Sequence, residues 1–164
     1  MIFYFSGTGN SHWLASQIAN ATGDTLISIA SQIQQQNFVF TLKPGEPIGW
    51  VFPIHSWGVP TIVLDFIAKH HLNNYTPAAY CYIAVTCGDD TGLAIEMCQK
   101  ALGAIKAKAA FSLQMPNTYI LLPGFDTDPK NTERQKLRQA QTKGQEIITH
   151  IKNRSQITLV TKGT

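Results

Sequence analysis

Met1-Ile2-Phe3-Tyr4-Phe5-Ser6-Gly7-Thr8-Gly9-Asn10-Ser11-His12 is the stretch that decides the fold. A short apolar run, Ile2 to Phe5, breaks into glycines and short polar side chains, and an amphipathic helical pattern starts at His12. A strand that ends this way just ahead of a helix makes a phosphate cradle. The helix's first N–H groups lack an intrahelical acceptor, and the positive end of the helix dipole lies there. Gly7 and Gly9 admit positive φ and close backbone approach. No lysine follows as Gly-Lys-Ser/Thr, which excludes a Walker A loop. His12 stands where a third glycine would complete Gly-x-Gly-x-x-Gly, so the dinucleotide fingerprint fails. What remains is a cradle for a phosphate monoester that needs neither lysine nor metal. The bland alternative is an ordinary Gly/Ser turn, but its place after the first strand of an α/β repeat favours binding.

Outward from that turn, apolar runs predict strands over 2–6, 25–29, 48–54, 80–86 and 108–115. Helical spacing predicts helices over 10–21 (stopped by Gly23), 61–71 (after Pro60), 91–102 (ended by Gly103) and 129–152. The Gln-rich segment 31–41 reads as loop or short helix, with a short extra strand over 38–40, and Pro44-Gly45-Glu46-Pro47 is a turn. The alternation implies a parallel sheet with helices on both faces. Ligands of such sheets sit outside the carboxyl ends of the strands, where strand order reverses.

With 164 residues, the chain is expected to form one domain over 1–164. Hydrophobic content of 44% against 14% charged residues marks it as globular rather than disordered. No apolar run approaches the roughly 20 residues that span a bilayer. The start has no basic n-region, so a cytoplasmic location without membrane insertion is expected. Three cysteines, Cys81, Cys87 and Cys98, without Cys-x-x-Cys spacing argue against a disulfide framework, a zinc site or an iron–sulfur cluster. The net charge of +3 is thinly spread. Arg134, Lys136, Arg138 and Lys143 on the last helix form a solvated face or a docking surface for an acidic partner. No aromatic-interleaved basic patch supports nucleic-acid binding. His70-His71 at a helix end matches the dipole rather than a metal site.

Three loops follow core strands and should converge. The first is the cradle, Ser6 to Ser11. The second reads Pro53-Ile54-His55-Ser56-Trp57-Gly58-Val59-Pro60, and the third Thr86-Cys87-Gly88-Asp89-Asp90-Thr91-Gly92. Trp57 either folds back onto the core edge or offers a flat wall to an aromatic ligand. His55 reads as a solvated loop histidine, and Cys87 as a backbone-positioning residue without a base beside it.

The cradle Ser6-Gly7-Thr8-Gly9-Asn10-Ser11, the Trp57-Gly58 loop and the Cys87-Gly88-Asp89 loop together resemble the flavodoxin family, over nearly the whole chain in element order. The chain also resembles the flavodoxin half of bacterial flavodoxin–ferredoxin fusions. The shared features are the Phe-Ser-Gly-Thr-Gly-Asn-Ser start, the Pro53 to Pro60 loop and Met115-Pro116-Asn117-Thr118-Tyr119. It looks like a stand-alone version.

The resemblance implies a three-layer α/β/α sandwich with a five-stranded parallel sheet of order 2-1-3-4-5, and FMN as cofactor. Ser6, Gly7, Thr8, Gly9, Asn10 and Ser11 would hold the phosphate. Pro53, Ile54, His55, Ser56, Trp57 and Gly58 would line the ring, Trp57 stacking on it. Thr86, Cys87, Gly88 and Asp89 would meet the pyrimidine edge. In this family a loop glycine lets a peptide flip toward flavin N5–H in the semiquinone, and Gly58 is the matching position. Asp89 and Asp90 would disfavour an anionic reduced flavin.

The implied function is an electron carrier cycling through the semiquinone. Its partners would be redox proteins, either ferredoxin-type or flavin reductases and oxidoreductases. The alternative is an FMN-dependent oxidoreductase acting directly on a quinone or porphyrinogen. The chain departs from the family pattern in three places. Val59 stands where an acid is common. Residues 90–93 carry no second stacking aromatic, so one flavin face is open or covered by Tyr119. The charge is mildly basic where carriers are acidic.

Overall fold

The computed structural model describes residues 1–116 and 129–163. Its elements run β1 (Ile2–Tyr4), α1 (Asn10–Thr22), β2 (Leu26–Ser28), α2 (Ile29–Gln34), β3 (Val39–Thr41), β4 (Ile48–Pro53), α3 (Thr61–Lys69) and β5 (His71–Asn73). They continue with β6 (Cys81–Cys87), α4 (Ala94–Leu102), β7 (Ala109–Gln114), α5 (Lys130–Lys152) and β8 (Thr158–Leu159). The main sheet is ordered β2-β1-β4-β6-β7-β8, and every adjacent pair is parallel. This corrects the expected five-stranded sheet. Thr158 and Leu159 pair with Ala110 and Phe111 and extend the edge by one short strand. β3 and β5 form a separate two-stranded parallel sheet.

Strand periodicity sorts the core into two layers. Phe3, Trp50, Phe52, Ile83 and Val85 face one side, where Val63, Phe66 and Ile67 of α3 and Ala94 and Cys98 of α4 cover them. Ile2, Val51, Tyr82, Ala84 and Phe111 face the other, against Leu14, Ala15 and Ile18 of α1 and Ile147, Ile148 and Ile151 of α5. β6 is buried along its whole length, as a central parallel strand must be. Gly49 of β4 leaves the space that the buried Tyr82 ring occupies.

The first layer centres on aromatic rings: Phe3 stacks on Trp50 at 4.6 Å, and Phe66 lies nearly parallel to His70. The expected helix over 61–71 ends at Lys69. His70 is its C-cap, and its Nδ1 donates to the Ile67 carbonyl. Burial lowers the His70 pKa, so the ring is a neutral cap rather than a cation matched to the dipole. His71 opens β5. No helix among the described residues is long and apolar enough to cross a membrane.

From β1 the chain goes to β2 on one side and to β4 on the other. The loops leaving β1 and β4 therefore diverge at the switch point, and the loop leaving β6 lies next to them.

Candidate functional site

The cradle is built from backbone. Phe5 N–H still reaches the Val51 carbonyl at 3.0 Å, so the chain leaves the sheet only at Ser6. The Ser6 hydroxyl accepts the Gly9 N–H at 3.0 Å and closes the turn. Gly9 is the N-cap of α1 at φ 97°, a left-handed conformation that a side chain disfavours, and it brings no side-chain cap. The first bond closing the helix is Trp13 N–H to the Gly9 carbonyl at 2.9 Å. The N–H groups of Gly7, Thr8, Asn10, Ser11 and His12 have no acceptor among the described residues. Donors grouped at the positive end of a helix dipole suit an anion.

The loop after β4 is a two-residue hairpin turn. His55 N–H donates to the Gly58 carbonyl at 3.0 Å, and Gly58 N–H returns a bond to the His55 carbonyl at 2.9 Å. Between them Ser56 and Trp57 both take positive φ, 47° and 59°, the signature of a type I′ turn. Neither residue favours that region, so the neighbouring loop must hold the turn. It does so through the Trp57 carbonyl, which accepts the Leu93 N–H at 3.1 Å. Gly92, at φ 51°, lies so close that any Cβ would overlap the Trp57 backbone. The flip expected at Gly58 would break its bonds to His55, worth about 1 kcal/mol each. The peptide between Ser56 and Trp57 has neither its carbonyl nor its N–H bonded among the described residues, and it is the one free to turn.

The loop after β6 presents the N–H groups of Gly88, Asp89 and Asp90, which also lack acceptors among the described residues. Asp90 caps the turn by accepting the Gly92 N–H at 2.8 Å, and Thr91 N–H and hydroxyl both donate to the Thr161 carbonyl. The first and third loops are tied in the interior. The Ser11 and Thr86 hydroxyls, both buried, share a hydrogen bond of 2.8 Å. Burial, followed by the charges of Asp90 and Asp89, pushes the Cys87 thiol up to about 12. That makes it a packing group rather than a nucleophile.

Between the loops lies a cleft of about 240 Å³ lined by Gly7, Thr8, Asn10, Pro53, Ile54, His55, Thr86, Cys87, Gly88, Met115 and Pro116. A wider cleft of about 460 Å³ opens between β7 and α5, lined by residues such as Gln114, Arg138 and Lys143. The smaller one is the candidate site, because the uncommitted N–H groups of two loops flank it.

Several expected residues sit elsewhere in it than the sequence suggested. The Ser6 and Ser11 hydroxyls are committed to the scaffold, and neither residue lines the cleft. Trp57 is 64% exposed at the rim and does not line the cleft. Gly58 packs under the turn against Met97, and Asp89 points outward beside Lys136. Tyr119 lies outside the described residues. Met115, Pro116, Gly92 and Lys136 were not among the expected site residues. Lys136 reaches the third loop from α5, far along the chain, and no local pattern marks it.

An open parallel α/β sheet with donor-rich loops at its switch point defines a class of domains that receive phosphorylated ligands. A family model described as "Flavodoxin domain" matches residues 1–118, and the chain belongs to the flavodoxin family. That assignment carries a flavodoxin-like flavin-binding function. No curated protein matches the chain.

Proposed function

We propose that the three loops bind FMN and that the protein is an electron carrier between redox proteins. The observation that carries this reading is the set of N–H groups left without acceptors around Gly9, at an uncapped helix N-terminus. These residues fit a phosphate monoester: the unbonded donors are grouped at one helix N-terminus, no side chain caps the helix, and Gly9 keeps the approach free of a Cβ. The Thr8 and Asn10 side chains, both on the cleft wall, add further donors. Pro53, Ile54 and His55, which line the cleft, would flank the ring. Gly88 and Asp89 offer N–H groups to the ring's carbonyl edge.

The flavin supplies the redox chemistry, and the protein's part is to hold it, shield one side and set its electrostatic surroundings. Trp57, Leu93 and Met97 are exposed apolar residues gathered beside the cleft, and they favour a protein partner docking close to the ring. Residues 1–164 would act as a single domain in this role.

The decisive experiment is a titration with FMN and with riboflavin. Charge-assisted hydrogen bonds contribute about 1.5–3 kcal/mol each, so losing two or more with the phosphate weakens binding by about a hundredfold or more. Equal affinity for the two would refute the cradle. Stepwise reduction should pause at a stable one-electron stage. Rapid quinone or NAD(P)H turnover by the protein alone would instead make it a direct oxidoreductase.

A further inference from the structure

The helix α5 carries cations where helix physics disfavours them. Lys130 is its first residue, at the positive end of the dipole, and Arg134 and Arg138 follow at four-residue intervals. Residues four apart on a helix are neighbours, so three like charges repel one another along a stripe about 12 Å long. All three are exposed, and none of their side chains makes an ion pair or hydrogen bond among the described residues. Glu133 and Glu146, the carboxylates of this helix, are paired with none of them. Leu137, 44% exposed, stands between Arg134 and Arg138 in the sequence of the stripe. An arrangement that strains its own helix and is not compensated within the fold points to a contact outside it. Arginines beside an exposed apolar side chain are what protein interfaces are enriched in.

The stripe borders the candidate site. Arg138 lines the cleft between β7 and α5 together with Gln114, whose amide donates to the Asp89 carbonyl at 2.7 Å. On the intervening turn, the Lys136 ammonium lies 3.4 Å from the carbonyl of Gly88, a residue of the flavin cleft. Lys136 is engaged with that loop and is not part of the stripe.

We propose that Lys130, Arg134 and Arg138 form a docking surface for an acidic redox protein, which lays a row of carboxylates along α5 at the edge of the flavin site. The proposal rests on the electron-carrier reading above and names the charge of the partner. Of the exposed large apolar residues described, only Leu137 is on α5, so the helix lacks the apolar face that holds an interfacial helix on lipid. No Phe, Trp or Tyr interleaves the cations, as a nucleic-acid surface would require.

The test uses the full chain, with and without FMN, and the triple variant Lys130→Gln, Arg134→Gln, Arg138→Gln. The control is Lys43→Gln with Lys106→Gln, two exposed lysines at the opposite end of the sheet, ahead of β4 and β7. Poly-L-glutamate stands in for the acidic surface, and its binding is measured by calorimetry at low salt. The triple variant should bind it about tenfold more weakly than the parent, and the control should match the parent. Oxidation of the reduced, FMN-loaded protein by ferricyanide is followed by stopped flow. Two ferricyanide ions take the flavin's two electrons, and its protons pass to water. The rate should fall about tenfold in the triple variant at low salt and converge with the parent near 1 M salt, where charges are screened within about 3 Å. The urea midpoint of the triple variant should not fall, because the lost charges repelled one another. A lower midpoint would overturn the proposal by giving the cations a role in the fold. Equal poly-L-glutamate binding by parent and triple variant, or an equal loss in the control, would overturn it and leave the FMN reading standing. An unchanged ferricyanide rate would overturn it by detaching the stripe from the flavin. Tighter binding of the parent to phosphatidylserine vesicles than to poly-L-glutamate would overturn it in favour of a lipid surface. A parent protein that binds no FMN would overturn both readings.

Discussion

The buried bond between Ser11 and Thr86 allows a sharp test of how the site is held. Both hydroxyls lie at 1–3% exposure, 2.8 Å apart, and neither has another partner among the described residues. Ser11→Ala removes the hydrogen bond, worth about 1 kcal/mol, and leaves the Thr86 hydroxyl dry and unsatisfied, for a total of about 1–3 kcal/mol. Thr86→Val does the same from the other side. The double variant loses the bond but strands no polar atom, so its cost should fall well below the sum of the singles. The coupling energy should be about 1 kcal/mol or more. In a domain of this size each kcal/mol moves the midpoint of thermal unfolding by about 2–4 °C. Urea unfolding of the four proteins without flavin supplies the cycle, and FMN titration of the same set reads the consequence for the cradle. Each single variant should weaken FMN binding, because Ser11 anchors the first turn of α1 to the strand beneath the third loop. Strict additivity of the two stability changes would refute the reasoning, since it would mean that the hydroxyls do not depend on each other.

Other outcomes follow from the same geometry. Gly92→Ala should cost well over 2 kcal/mol in urea unfolding, because its Cβ meets the Trp57 backbone and φ is 51°. Gly58→Ala should cost under about 1 kcal/mol, because its Cβ meets only the flexible Met97 thioether, with the sulfur at 3.1 Å. Stability should be flat from about pH 6.5 to 9 and fall on both sides. Below 6.5 the unfolded chain protonates His70 while burial in the fold resists it. Above 9 the unfolded chain ionises Cys81 and Cys87, whose folded values are raised to about 12, and Cys98, raised further still. Each of these thiols contributes a loss of up to about 1.4 kcal/mol per pH unit. A urea midpoint that stays constant from pH 8.5 to 10.5 would contradict this.

The main sheet was legible where burial is two-sided. β4 and β6 read as near-continuous apolar runs because helices cover both of their faces. β3, β5 and β8 were not, or only in outline. Each has two or three residues, and Val39 and Thr41 face solvent while only Phe40 packs inward, so no run stands out. α2 was half hidden because Ile27 and Ile29 prolong a strand pattern, although Ser28 caps the helix by accepting the Ser31 N–H. α4 starts at Ala94 rather than 91 because Thr91 is drawn to Thr161 instead. In the site, residue types were readable but directions were not. Whether a serine hydroxyl faces a ligand or the scaffold depends on partners distant in sequence, and Ser11 finds its partner 75 residues away.

That division between side chain and backbone explains how such small loops form a durable site. Hydroxyls and a carboxylate are used inward: Ser6 on Gly9, Ser11 on Thr86, Asp90 on Gly92. The N–H groups of Gly7, Thr8, Asn10 and Gly88, all on cleft-lining residues, are left without acceptors among the described residues. Preorganised donors of this kind spare the ligand the ordering cost that flexible loops impose on binding. Occupancy should then stabilise the fold by mass action alone, by about 2.7 kcal/mol at a ligand concentration a hundred times Kd. The strained turn at Ser56 and Trp57 is the exception. Its central peptide, between Ser56 and Trp57, has neither carbonyl nor N–H bonded among the described residues, so any rearrangement of this loop is expected to start there.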